Sequence, residues 1–337
     1  MRYNIPMFHK PLDLISIGDT TTDAFIRLKE AEVHCRIDHN SCEICMPFGD
    51  KIPFEYSKVV KGVGNAPNAA VAGSRLGLCS ALVSNIGSDQ NGHECMNELQ
   101  RNKVITSYVK QNQGKSTNYH FVLWYGAERT ILVNHVDYEY HLAKLPSTRW
   151  LYLTSLASKT FPYHMAIADY LEANPNVRLA FQPGTFQMKL GFEEMKRIYD
   201  KTDVFVVNVE EAQRMLNTDS RDVKLLMSEI HKKGPKLILI TDGPKGAYMY
   251  DGDHSYFMPT YPDPKPPLER TGCGDAFAST FVSALAIGKS PLEALTWAPV
   301  NPMSVAQFVG AQEGLLTLEQ IEWWLARAPG HYRVKEI

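Results

Sequence analysis

The sequence predicts a doubly wound α/β domain, a mostly parallel sheet flanked by helices, that carries a small β-sheet lid. Three observations predict it. From residue 150 onward, short apolar runs alternate with helical stretches, the pattern of βαβ units on a parallel sheet. Those runs begin ~27 residues apart, the size of one such unit. Nearer the N-terminus, residues 24–61 and 118–135 instead alternate apolar and polar side chains, like a half-exposed antiparallel sheet.

Taken in order, Leu14–Gly18 reads as a buried strand ending in glycine, and residues 24–61 as the first part of the lid. Pro67 opens a helix of small residues, and Ala81–Gly87 is a second buried strand. Gly126-Ala127-Glu128-Arg129 lies between two strand-like runs and reads as a hairpin turn. Beyond it, strands are expected at Trp150–Thr154, Val177–Phe181, Val204–Val207 and Leu237–Thr241. Helices are expected at Tyr163–Ala173, Phe192–Tyr199, Arg221–Lys232 and Ala276–Ile287, the last stopped by Gly288. This places residues 1–23, 62–105 and 137–337 in the α/β domain, with 24–61 and 106–136 as an inserted lid.

The 337 residues suffice for one large domain with an appendage. Lys and Arg number 35 against 37 Asp and Glu, a net charge of −2, with 44 % hydrophobic residues. Such a balance carries no electrostatic footprint for nucleic acid or an anionic membrane. The apolar run Leu12–Ile17 is too short for a secretory signal, and the uncharged stretch Ala294–Gln312 is broken by Pro299 and Pro302. Six unevenly spread cysteines make no disulfide framework. A cytoplasmic, reduced protein is expected.

Two motifs carry chemistry. In Arg270-Thr271-Gly272-Cys273-Gly274-Asp275, glycines at a helix mouth let backbone N–H groups converge on an anion where the helix dipole favours negative charge. A carboxylate there suits a base that takes a proton from an attacking hydroxyl, or simply an N-cap. In Gly62-Val63-Gly64-Asn65-Ala66-Pro67-Asn68, two amide side chains project from a helix start. They suit either a polyhydroxylated ligand or capping and tight packing.

Together these segments resemble the paired signatures of the ribokinase-like (PfkB) carbohydrate kinase family, in the expected order. Three further segments fit the same family: Gly18-Asp19-Thr20-Thr21-Thr22-Asp23, Asn208-Val209-Glu210-Glu211 and Thr241-Asp242-Gly243-Pro244-Lys245-Gly246. The resemblance implies ATP-dependent phosphoryl transfer to a hydroxyl of a sugar or nucleoside, with ATP and Mg²⁺ as cofactors. It implies Asp275 as catalytic base, and the amides of Gly272, Cys273 and Gly274 as an anion hole. Asp23, Gly64, Asn65 and Asn68 are then expected to hold the acceptor. Asn208, Glu211, Thr241, Gly243, Gly246, Asn301 and Gly310 are expected on the nucleotide side, with Glu211 reaching Mg²⁺ through water.

Departures from the family pattern matter. Val63 replaces a glycine and is expected to crowd the sugar end. Gln182 replaces an Asp. Arg270 stands where relatives that use a monovalent cation have an Asp ligand, and its guanidinium supplies the charge instead of the ion. The absence of a basic cluster near Asp23 and Asn65 favours a neutral acceptor. His34, Cys35, His39, Cys42 and Cys45 have spacing that admits zinc, with free thiols as the expected state. His120 and His135 are expected at a surface or interface. The half-apolar lid is expected to pair two copies into a homodimer. The missing GxGxxG after the first strand argues against a dinucleotide-dependent oxidoreductase.

Overall fold

The structure, a computed structural model, describes residues 11–29, 31–35, 42–126 and 128–337. Its large sheet has ten strands. In spatial order they are Lys335–Glu336, Ser255–Met258, Ala247–Tyr250, Leu237–Thr241, Thr202–Asn208, Arg178–Phe181, Thr148–Leu153, Leu12–Ile17, Ser80–Gly87 and Ile105–Asn112. The seven from Leu237–Thr241 onward run parallel. The first three are antiparallel.

A parallel sheet covered on both faces needs continuous apolar strands, and Leu12–Ile17 is buried at every position. Alternate residues feed two cores. Leu14, Trp150 and Tyr152 pack under the helix Cys273–Ile287. Ile15, Leu151 and Leu153 pack under the helices Phe161–Ala173 and Val223–His231.

The order reverses at Leu12–Ile17, which lies between Thr148–Leu153 and Ser80–Gly87. In open α/β sheets the crevice at the carboxyl ends of such strands is where ligands bind. Gly18 and Asp19 follow that strand directly, Gln182 follows Phe181, and Asn208 and Thr241 close their own strands. Topology therefore gathers at one edge residues that are far apart in the sequence.

The lid is a four-stranded sheet in the order Phe54–Val63, Thr21–Leu28, Asn118–Tyr125, Glu128–Leu132. A separate ribbon pairs Glu32–Cys35 with Cys42–Cys45. No helix among the described residues is long and apolar enough to cross a membrane.

Three expectations need correction. Residues 106–136 are not all lid, because Ile105–Asn112 pairs in parallel with Ser80–Gly87 at the edge of the large sheet. Nor is the lid purely antiparallel: Thr21–Leu28 and Asn118–Tyr125 pair in parallel. Both leave the same edge of the large sheet, each after a strand of that parallel set, so they run the same way. The expected helix Phe192–Tyr199 is two, Thr185–Glu194 and Lys196–Lys201. Gly191 at φ 78° interrupts the first, a conformation that glycine adopts without strain.

Candidate active site

Two cavities open along the carboxyl edge. The smaller, ≈ 200 Å³, is lined by Thr241, Gly243 and Gly246 on one side and by Tyr261, Phe277 and Met303 on the other. The larger, ≈ 590 Å³, is lined by Asp19 after the first strand, by Gly64 and Asn65 at a helix start, and by Asp23, His120, Arg129 and His135 from the lid side. Both share Arg270 and Gly274, so they meet at the first turn of the helix Cys273–Ile287.

That turn is shaped by its glycines. Gly272 sits at φ 80°, and a Cβ there would lie 2.2 Å from the Ala311 Cβ. Only glycine fits such a position. Gly274 differs: a Cβ there would meet no protein atom within 4 Å. It would project into open space at the junction of the cavities. The Cys273 N–H donates to the Arg270 carbonyl at 3.3 Å, which corrects its expected place in the anion hole. The N–H groups of Gly274 and Asp275, in the helix's first turn, take no backbone carbonyl among the described residues. Burial pushes the Cys273 thiol up to about 12, so it stays protonated.

Asp275 stands on the floor of the larger cavity. Asn65 Nδ2 and Gln182 Nε2 donate to its Oδ1 at 3.0 and 3.1 Å, and Asn68 Nδ2 donates to Oδ2 at 2.8 Å. Burial raises its pKa above the ordinary carboxylate value, while the Asn68 and Gln182 amides and the Arg129 charge pull it back. Asn65 and Asn68 thus orient this carboxylate. Asn68 has no free end, since its Oδ1 accepts from Gln312 Nε2 at 3.0 Å. The Gln182 departure also has a reason: an Asp there would set a second carboxylate against Asp275. Val63 is buried and stands off the cavity wall.

On the opposite wall, Tyr140 Oη donates to Asp19 Oδ1 at 2.6 Å, and the Ala157 N–H donates to Oδ2 at 2.7 Å. Burial still lifts the Asp19 pKa to about 6. Asp23 lies opposite His120 in the lid register, with Oδ1 3.3 Å from His120 Nδ1. His120 and His135 both line the cavity, where a surface or interface place was expected. Arg129, Tyr140 and Asp19 drew no functional reading from the sequence; the hairpin at 126–129 was the one local signal for Arg129.

The remaining expected residues divide. Thr241, Gly243 and Gly246 line the smaller cavity. Glu211 lines the larger one. Its N–H donates to Asn208 Oδ1 at 2.8 Å and its Oε2 accepts from the Asn208 N–H at 2.9 Å, a reciprocal helix cap. Asn208 itself lies off both cavities. Burial raises the Glu211 pKa. One of its oxygens remains outside the cap, which fits an ion held mainly by phosphate and water. No group of three His, Cys, Asp or Glu among the described residues makes a protein cage for a metal.

Asn301 does not reach the smaller cavity. It is fully buried, with Nδ2 donating to Thr280 Oγ1 and Oδ1 accepting from the Leu316 N–H, each at 2.7 Å. Gly310 N–H donates to Glu269 Oε1 at 2.8 Å, beneath the lid. Both are structural. Arg270 is exposed and reaches both cavities. Of the zinc candidates, His39 lies outside the described residues, as do the side chains of Cys35 and Cys42; His34 Nε2 lies 3.1 Å from Glu32 Oε2, and Cys45 forms no disulfide among the described residues.

Comparison with known proteins identifies the family. The pfkB family carbohydrate kinase profile matches residues 39–317. Fructokinase-2 of Zea mays is 28 % identical over 243 residues, spanning 66 % of this chain and 71 % of that protein. Ribokinase of Bacillus subtilis is 26 % identical over 267 residues, spanning 77 % and 86 %. The structure of Arabidopsis thaliana ribokinase complexed with ribose and ATP superposes with a TM-score of 0.77 over 94 % of this chain and 99 % of that one. At 18 % identity that likeness speaks for the fold.

Proposed function

Because the chain belongs to the pfkB family of carbohydrate kinases, phosphotransferases with an alcohol acceptor, we propose that it moves the γ-phosphoryl group of ATP to a hydroxyl of a neutral, ribose- or fructose-like sugar. One observation carries the reading: the two cavities meet at Gly274, with the Asp275 carboxylate facing the larger. The smaller cavity takes the nucleotide and the larger takes the acceptor.

In this mechanism the acceptor hydroxyl lies against Asp275, which receives its proton as the phosphoryl group arrives. Phosphoryl transfer has a loose transition state, so alignment and charge neutralisation supply most of the acceleration. Three amide donors fix the carboxylate, and its raised pKa makes it a better proton acceptor than a free Asp. The open Gly274 and Asp275 amides face the developing charge, and Arg270 adds a positive charge at the junction. Glu211 would hold Mg²⁺ through water, and the ion would supply charge neutralisation on the phosphates.

A nucleoside acceptor is the second reading, favoured by the apolar wall of Ile131, Val133 and Phe186 in the larger cavity. The same chain also gives reason to expect a homodimer through the lid. Val59, Ala24, Phe121 and Leu132 align across its four strands, and three of them are about half exposed.

ATP consumption with ribose, fructose, adenosine and fructose 6-phosphate tests the reading. Turnover on a neutral sugar is expected. Turnover confined to adenosine selects the nucleoside reading, and none with any acceptor contradicts phosphotransfer.

A further inference from the structure

We infer that His120 and His135 determine acceptor specificity, reading hydroxyl groups of an uncharged polyol together with Asp23. The inference rests on the kinase reading above and names the residues that choose its substrate.

Asp23 Oδ1, His120 Nε2 and His135 Nδ1 are all buried, all belong to cavity-lining residues, and have no hydrogen-bond partner among the described residues. Buried polar atoms are otherwise almost always satisfied. Three of them around one cavity mark where a ligand's polar groups belong. The side chains are also held in place. His120 is fixed by the lid register opposite Asp23, with its ring edge-on to His135 at a centroid distance of 5.4 Å. His135 in turn packs against Phe186 at 6.1 Å and stands 3.8 Å from Asp19 Oδ2.

The chemistry of these atoms selects the ligand. The Nε2 of His120 has no partner among the described residues and can pair with a ligand hydroxyl. Burial lowers the His135 pKa, so its ring is neutral and able to accept at one nitrogen. Beside them stand the carboxylates of Asp19 and Asp23. A wall of acceptors pairs with O–H donors. A phosphate dianion has none to give and would meet two carboxylates on this wall, while the cavity's cations, Arg129 and Arg270, act on the Asp275 and Cys273 side. The site therefore prefers a neutral polyol to its phosphorylated counterpart.

The test uses four variants, His120→Leu, His120→Gln, His135→Leu and His135→Gln, with the best neutral acceptor and its mono-deoxy analogues. Each leucine variant should raise the acceptor KM roughly 10-fold, the effect of losing one hydrogen bond. The ATP KM and kcat should stay within about twofold, and glutamine should recover most of the loss. A deoxy analogue that lacks the hydroxyl read by His120 should lose the same factor on the wild type and nothing further on His120→Leu. Acceptor KM values unmoved in both leucine variants, or faster turnover of fructose 6-phosphate than of fructose, would overturn the inference while leaving phosphotransfer intact. Calorimetric titration of ribose, fructose and adenosine without nucleotide separates the two claims. Binding that the leucine variants lose, in a wild type that never turns over, would contradict the kinase reading and uphold this one; no binding and no turnover would overturn both.

Discussion

Around Asp275, three neutral amides arrive from separate parts of the chain, Asn65 and Asn68 from one helix and Gln182 from a strand end. A base must be ionised to act, so kcat/KM should fall as pH drops through the Asp275 pKa, at a pH above the ordinary carboxylate range. Gln182→Glu puts a like charge against it, which disfavours the ionised form. The acid limb of the pH profile should then move to higher pH; an unmoved limb would remove Asp275 from the proton transfer. Gly274→Ala separates stability from catalysis. No protein atom lies near the added methyl, and alanine suits a helix better than glycine by up to about 1 kcal/mol. The melting temperature should hold or rise while kcat falls roughly 10–100-fold as the methyl displaces the phosphoryl group. Unchanged kcat would show that nothing passes over Gly274. Asp275 was legible in the sequence because glycine, helix mouth and carboxylate are adjacent there. The roles of Gln182 and His120 were not, since each is defined by a partner about a hundred residues away that only the sheet order supplies.

The elements show the same division. Buried strands such as Leu237–Thr241 are continuous apolar runs and could be read within a residue or two. Ile105–Asn112 could not, because an edge strand is half exposed and its pattern resembles that of the lid. Asn301 shows how a matching position misleads: its amide is consumed joining the helix Cys273–Ile287 to Leu316. The loop before that helix carries a further prediction. Glu269 is buried and accepts from the Thr271 and Gly310 N–H groups at 2.6 and 2.8 Å, leaving Arg270 free to reach both cavities. The Arg270 guanidinium would then supply there the charge of a bound cation, so activity should be insensitive to K⁺ against Na⁺ at constant ionic strength. Saturable activation by K⁺ would show that Arg270 does not fill that role.

At the scale of the whole molecule, the lid covers the larger cavity with one face and carries an apolar row on the other. The row formed by Val59, Ala24, Phe121 and Leu132 is the patch a second copy would cover. Light scattering should give twice the chain mass of 38.0 kDa, and Phe121→Glu should return it to the single-chain value without loss of secondary structure. A wild type at 38.0 kDa would contradict the pairing. The α/β class and the existence of a lid could be read from the sequence, because strand spacing and apolar alternation are local signals. That the two cavities converge on one glycine follows from the reversal of strand order at Leu12–Ile17, which no local signal reveals. That convergence is the centre of the account, and one measurement addresses it directly: transfer of labelled phosphate from γ-labelled ATP to a neutral sugar, by the wild type and by Asp275→Asn. Removing one positioned base should slow transfer roughly 10²–10⁴-fold while ATP binding and the melting temperature stay close to wild type. Transfer by Asp275→Asn within about tenfold of the wild-type rate would contradict the account.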